Sequence, residues 1–334
     1  MSEDHPYLHL QVPTDAPFKL KPSPGKGWGA FATRRIGNGA LLLREKPLWV
    51  IGKQHTEITE QDIRAAFQGL PPRSKQQFLF LRDNAYGKFT DMKSACAENS
   101  FQVASEAEME KGVRAYGLFI LLSRFNHSCV PNSIVPVTTT GREAIASYAT
   151  KDIMPGEEIT FCYNTDFQFR TRQDRHKELC FVCECKACQL GTPFHQMSEI
   201  RRRFARAILY LSHGVDMDRG QSCFFSPKII HSTLKNAAET FEIPVSSRFI
   251  YNILLVCLVE EEGLLDDVKV KRMIPPVLST LLLFQTKENV EIAMLAMRQE
   301  TWLQRFDVAV KLYGKRDKAD NDFNARLRRQ YGVS

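Results

Sequence analysis

The chain has 334 residues, 43% hydrophobic and 25% charged, with a formal net charge of +7 at pH 7. That composition is globular, with room for one large domain or two smaller ones, and no apolar run approaches the ~20 residues of a membrane helix. The opening stretch MSEDHPYLHLQVPTD has no apolar secretory core, so an intracellular setting, cytoplasmic or nuclear, with reduced thiols is expected.

Residues 1–53 read as short strands and turns. GKGWGAFATRRI runs into Gly37-Asn38-Gly39 and then into ALLLREKPLWVIG, a turn followed by an apolar run that suggests strand pairing. From 54 to about 98 the period changes. ITEQDIRAAFQGL carries an apolar stripe at helical spacing behind Thr59, a suitable N-cap, and SKQQFLFLRDNAY repeats the pattern after Pro71-Pro72. This reads as a helical insert between two β-rich halves. β-type segments resume near Asn99. NSIVPVTTTG and REAIASYATKDI bracket Gly141 as a hairpin would, and MPGEEITFCY gives a Pro-Gly turn and a strand. FRTRQDRHKEL is a charged helix. From about 196 onward the pattern is helical only, with Ser226-Pro227 as a helix start and with RFIYNILLVCLVEEEGL and MIPPVLSTLLLF as buried helices. The basic clusters, RRRFAR at 201–206 and the stretch from Lys311 to Arg329, read as solvated helix faces. No base-reading motif accompanies them, so direct nucleic-acid binding is not expected.

Nine cysteines is an odd count, and CFVCECKACQ crowds four of them into residues 180–188. In a reducing compartment such crowding favours a metal over disulfides. Zinc takes four sulfur or nitrogen ligands in a tetrahedron. Four ligands from nine consecutive residues would force a very tight wrap. Cys183-x-Cys185-x2-Cys188 with a fourth ligand from elsewhere is easier, and Cys129 in NHSCVPN is the best outside candidate. The competing reading is a Cys180/Cys183 redox pair, but no βαβ pattern surrounds it.

KGWGAF at 26–31, RFNHSCVPN at 124–132, GEEITFCY at 156–163 and CxCxxC at 183–188 occur in that order. Together they resemble the SET-domain protein-lysine methyltransferases, closest to the SET-and-MYND branch and the fungal SET-only proteins, over roughly residues 18–190. The resemblance implies an α+β fold: a SET-type β-clip of small twisted sheets with a helical insert and a zinc-binding post-SET segment, followed by an all-α C-terminal domain. The expected boundaries are 1–53, 54–98, 99–175, 176–192 and 193–334. It implies one structural zinc on Cys129, Cys183, Cys185 and Cys188, with Cys180 a bystander. The MYND finger is absent, since Cys96 is the only cysteine between the two halves.

The family uses S-adenosylmethionine (SAM). By resemblance, Lys26, Gly27, Trp28 and Gly29 face its methionine end, Asn126 and His127 bracket its adenine, Asn99 contacts it, and Phe181 covers it. Trp28 departs from the family's usual basic or small polar residue and either stacks near the cofactor or simply packs. Phe101 walls the lysine channel. Tyr163 lies at the methyl-transfer site, where its hydroxyl orients the target amine and its ring borders cofactor and channel. Alone, these residues have plainer readings: Gly27 and Gly29 as hairpin glycines, His127 as a satisfied core histidine, Tyr163 as a strand residue. Phe161 and Tyr148 read as core. The implied activity is SAM-dependent methylation of a lysine ε-amine in a protein, histone or non-histone, by a monomer. The alternatives are an inactive SET-fold scaffold and an enzyme for small amines.

Overall fold

A computed structural model of the chain describes residues 5–273, apart from 82, 85–86, 105–107, 109–110, 137–142, 214, 217–220, 223–247, 267–268 and 271–272. The readings made for Gly141, Ser226-Pro227, the apolar stretch from Ile274 and the basic stretch beyond Lys311 lie outside the described residues. The chain divides into two compact units, Met1–Tyr163 and Asn164–Ser334.

The first unit is α+β. Its early strands are β1 (Phe18–Ser23), β2 (Gly27–Ala32), β3 (Leu41–Glu45) and β4 (Val50–Ile51). The helical insert follows as α1 (Glu60–Gln68), α2 (Pro72–Phe80) and α3 (Met92–Asn99). Thr59 caps α1 in a reciprocal capping box with Asp62, which satisfies donors that the first helical turn leaves open. The insert is not purely helical: β5 (Asp83–Asn84) and β6 (Gly87–Lys88) pair within it, too short to give a period-2 signal. After the insert come β7 (Ser100–Gln102), β8 (Tyr116–Leu118), β9 (Asn126–His127), β10 (Ser133–Ile134), β11 (Ile145–Ala149) and β12 (Glu158–Phe161).

These strands form small separate sheets ordered β1-β2-β12-β9, β10-β11-β3 and β4-β8-β7. β1 alternates inward and outward, with Phe18 and Leu20 buried, the pattern of a sheet with one face on the core. Gly25, at φ +71°, supplies the left-handed turn between β1 and β2 that a side chain would resist. β10 and β11 pair antiparallel, as the hairpin reading requires. The core is built on Leu118, Phe119, Phe125, Ile153 and Ile159, all essentially inaccessible. Phe161 joins it, but Tyr148, read as core, is 37% exposed. In β11 the residues Ile145, Ser147 and Ala149 are buried, so the alternation of the strand sets Tyr148 on the outward face.

Glu45 organises the approach to β9. Its carboxylate accepts from the backbone N–H groups of Ile120 at 2.8 Å, Leu121 at 3.0 Å and Leu122 at 2.8 Å. Those donors open the 3-10 turn Leu122–Arg124, which leads straight into Asn126. Burial pushes the Glu45 carboxyl above its ordinary value, and the three N–H groups oppose that shift.

In the second unit a 3-10 turn at Thr165–Phe169 precedes the expected charged helix, Arg172–Leu179, which a Thr171/Asp174 capping box starts. Longer helices run over Pro193–His213 and Arg248–Glu261. The reading of helices only is corrected by a short antiparallel pair, Val215–Asp216 with Gln221–Ser222. The reading of RRRFAR as a solvated face is also corrected. Arg201 and Arg202 are 6% and 1% exposed, and both donate to the buried carboxylate of Glu262, at 2.8 and 3.0 Å through their Nε atoms. Only paired charges tolerate such burial. Arg203, 60% exposed at its side chain, keeps the solvated role. Among the described residues no helix is long and apolar enough to cross a membrane.

Candidate functional site

Gly27, Trp28, Gly29, Asn126, His127 and Tyr163, with Lys26 beside them, come together where β2, β9 and β12 meet. β12 pairs with β2 antiparallel and with β9 parallel, setting Thr160 against Asn126 and Phe161 against His127. Motifs more than thirty residues apart therefore become neighbours.

Tyr163 follows β12. Its backbone N–H donates to His127 Nδ1 at 3.2 Å, and its hydroxyl donates to the Phe125 carbonyl at 3.4 Å. Because His127 Nδ1 accepts, its proton sits on Nε2, which faces Cys129 Sγ at 3.3 Å. His127 is 3% exposed, so its ring is a fixed spacer between Tyr163 and the Cys129 loop. The Tyr163 ring lies 5.0 Å from that of Phe161 and 5.1 Å from that of His127. Phe161 in turn lies 5.8 Å from Phe101. An aromatic row thus runs from Phe101 to Tyr163, with Tyr163 as its open end at 48% exposed. Protein crowds the hydroxyl end even so. Desolvation pushes the phenol up to about 12, opposed by Arg124 and reinforced by Glu158 and Glu98. At physiological pH it is a neutral donor.

Asn126 donates from Nδ2 to the Trp28 carbonyl at 3.1 Å and to Glu158 Oε1 at 2.7 Å. Glu158 is the hub that the sequence reading missed. Its Oε1 also accepts from Ser23 Oγ at 2.8 Å, and its Oε2 accepts from Lys26 Nζ at 2.8 Å. The one available signal was its place in GEEITFCY. Gly29 makes the arrangement possible. A Cβ there would stand 2.4 Å from Glu158 Oε1 and 2.8 Å from Asn126 Nδ2, so the position has to lack a side chain. Trp28 packs: its ring stacks on His5 at 4.5 Å, with Tyr7 edge-on at 6.0 Å. Asn99 stands apart from this group. It is fully buried at the end of α3, where it donates to the Ala95 carbonyl at 2.6 Å and accepts from Arg124.

In the second unit Cys180 ends its helix in a left-handed conformation, φ 58°, and is exposed. Its sulfur is not part of the close group of cysteine sulfurs found among the described residues. The sulfurs of Cys183, Cys185 and Cys188 lie within 4.8 Å of one another. Tetrahedral zinc with Zn–S of about 2.3 Å needs sulfurs about 3.8 Å apart, so small rotations suffice. This is a cysteine cluster that can hold a metal ion. Buried Arg175 donates to Cys188 Sγ at 3.3 Å, and Arg172 Nε donates to the Cys188 carbonyl at 2.8 Å. Such donors stabilise thiolate charge around a metal. Phe181, half-buried, precedes the triplet by two residues. In the first unit Cys129 is 1% exposed.

The family model of the SET domain matches residues 27–164. This chain carries a SET domain. It is 28% identical over 193 residues to the histone-lysine N-methyltransferase set5 of Schizosaccharomyces pombe, covering 56% of this chain and 55% of that protein. Over 95 residues it is 37% identical to the human histone-lysine N-methyltransferase SMYD3, covering 27% of this chain and 20% of that protein. Over 77 residues it is 43% identical to the human protein-lysine N-trimethyltransferase SMYD5, covering 22% and 18%. The chain thus spans about half the length of the first of these relatives and about a fifth of the others. The SET match covers every expected site residue of the first unit except Lys26.

Proposed function

We propose that this chain is a SAM-dependent methyltransferase acting on the ε-amine of a lysine in a protein, histone or non-histone, in the cytoplasm or nucleus. The observation that carries the reading is the parallel β9–β12 pairing. It sets Asn126 and His127 beside Phe161 and Tyr163 within the SET domain. The histone-lysine N-methyltransferases set5 and SMYD3, to which the chain is similar, support it. The net charge of +7 gives no general attraction for basic histone tails, so recognition would rest on a local surface.

When bound, SAM supplies a methyl group on a sulfonium, open to in-line displacement by an amine. The work left to the protein is alignment and exclusion of water, and alignment alone supplies several kcal/mol, on the order of 7–11 for well-oriented partners. In this reading Lys26, Gly27, Trp28 and Gly29 form the loop at the methionine end, and Asn126 and His127 lie at the adenine. Asn99 contacts the cofactor, and Phe181 covers it. The Phe101–Phe161–Tyr163 row walls a channel for the lysine stem, and the Tyr163 hydroxyl orients the amine. The target amine must be neutral. Its reference pKa is ~10.4, and desolvation in an aromatic channel lowers it, so no dedicated base is required.

The four cysteines Cys129, Cys183, Cys185 and Cys188 would hold one structural zinc ion. The donor set fits it: four sulfur ligands are characteristic of a closed zinc site. Outer donors are in place on two of them, His127 on Cys129 and Arg175 on Cys188.

The test is transfer of labelled methyl from SAM to lysines of a whole-protein extract or peptide library. Below the pKa of the bound amine, single-turnover rates should rise about tenfold per pH unit. No fall from Tyr163 ionisation is expected until about 12. Label on no protein lysine, or a flat profile from pH 7 to 9 in single turnover, overturns the reading. Gly29→Ala probes the loop. It displaces the Glu158–Asn126 contact but leaves the backbone unstrained. It should weaken SAM by about tenfold or more in calorimetric titration, as loss of a charged hydrogen bond does, while the melting profile stays cooperative. Unchanged affinity would remove this loop from the cofactor site.

A further inference from the structure

The segment ahead of β1 packs against two stretches of chain that meet at Asn126, and we infer that Tyr7 is a positioning residue for cofactor binding, holding both stretches with one ring. This rests on the SAM-binding reading above. Pro6–His9 forms a 3-10 turn, with His5 Nδ1 accepting from the Tyr7 N–H at 3.2 Å. Tyr7 is 2% exposed. Its ring meets that of Trp28 edge-on at 6.0 Å, and the guanidinium of Arg124 lies over it at 4.6 Å. His5 stacks on Trp28 at 4.5 Å. Leu10 is buried in the core of this unit. Gln77 of α2 accepts from the Gln11 N–H at 3.0 Å and donates to the His9 carbonyl at 3.3 Å. The segment is thus a brace, tied to the helical insert by His9 and Gln11 and laid against Trp28 by His5 and Tyr7.

Both partners of the Tyr7 ring lead to Asn126. Trp28 supplies the carbonyl that accepts from Asn126 Nδ2 at 3.1 Å. Opposite Trp28 in β1 stands Pro22, which has no N–H to offer the ladder, so the grip on the Trp28 side chain matters to where that carbonyl stands. Arg124 closes the 3-10 turn two residues before Asn126, and its guanidinium also donates to Asn99. Edge-to-face rings attract one another, and a guanidinium is drawn to an aromatic face. Loss of the Tyr7 ring would loosen Trp28 and Arg124 together. Asn126 would then lose the setting of its partner carbonyl and of the turn that delivers it. Tyr7 acts through these two residues and needs no contact with the cofactor.

The experiment is calorimetric titration of the whole chain with S-adenosylhomocysteine, beside a melting profile of each variant. Tyr7→Leu keeps an apolar side chain, removes the ring, and should weaken binding about tenfold, the joint worth of an edge-to-face pair and a cation–π contact. Tyr7→Phe keeps the ring and should bind within about threefold of wild type. Ile63→Val, fully buried in α1 of the insert, reports what lost stability does alone: it should melt lower and bind as wild type does. Should Tyr7→Leu fail to fold, His5→Ala takes its place. It removes the stack on Trp28 and should weaken binding about three- to fivefold. The inference is overturned if Tyr7→Leu, or His5→Ala in its stead, binds as wild type does. It is overturned equally if Tyr7→Phe loses as much as Tyr7→Leu, or if Ile63→Val weakens binding to the same degree. A folded wild-type protein that binds neither SAM nor S-adenosylhomocysteine overturns the cofactor reading itself, which separates the two failures.

Discussion

Cys185→Ser is expected to empty the zinc site and abolish SAM binding with it. Cys185 contributes one sulfur of the Cys183–Cys188 cluster, and its carbonyl accepts from the Cys188 N–H at 2.7 Å and the Gln189 N–H at 3.0 Å. A serine keeps those backbone bonds, so the loss would report on the ligand sulfur. Structural zinc contributes on the order of 10–16 kcal/mol to small thiolate sites, far more than the turn alone can replace. In the proposed site the ion links this cluster to Cys129, two residues from His127. His127 Nδ1 in turn accepts from the Tyr163 backbone. Metal content by mass spectrometry should fall from one zinc per chain to near zero, and calorimetric titration should find no SAM binding. Full SAM binding by a chain shown to be zinc-free would remove the metal from the working of the site.

Tyr163→Phe should lower methyl transfer by two to three orders of magnitude, with SAM affinity held within about threefold. The ring stays against Phe161 and His127 and only the hydroxyl goes. Its bond to the Phe125 carbonyl is long, 3.4 Å, and worth about 1 kcal/mol or less to stability, so the fold should persist. What is lost is the group that sets the direction of the amine, and misalignment of about 1 Å can cost on the order of 10²-fold in rate. Single-turnover rates and a SAM titration on the same preparation check both halves. A rate within tenfold of wild type would take the hydroxyl out of the chemistry.

Local patterns announced much of this. Thr59 and Asp62 announce α1 because a capping box works within four residues. The Met154–Tyr163 stretch announces its own turn and strand. The tight spacing of Cys183, Cys185 and Cys188 announces a metal-competent cluster. Elsewhere the local signal misled. RRRFAR has the composition of a solvated face, yet Arg201 and Arg202 are buried because Glu262, sixty residues later, meets them. Tyr148 looks like core in sequence, and the alternation of β11, with Ile145, Ser147 and Ala149 inward, turns it outward.

By its own residues the sequence determined the longer elements, the cysteine cluster and the motifs of a SET domain, but not the two-residue strand pairs, since capping, turn geometry and ligand spacing act over a few residues. Only the tertiary structure decided that Ser23, Lys26, Gly29, Asn126 and Glu158 share one hub, and that Glu45 braces the turn into β9. Those contacts join strands up to 135 positions apart. No local period encodes the pairing of β12 with both β2 and β9, which comes from burying their shared faces on one core.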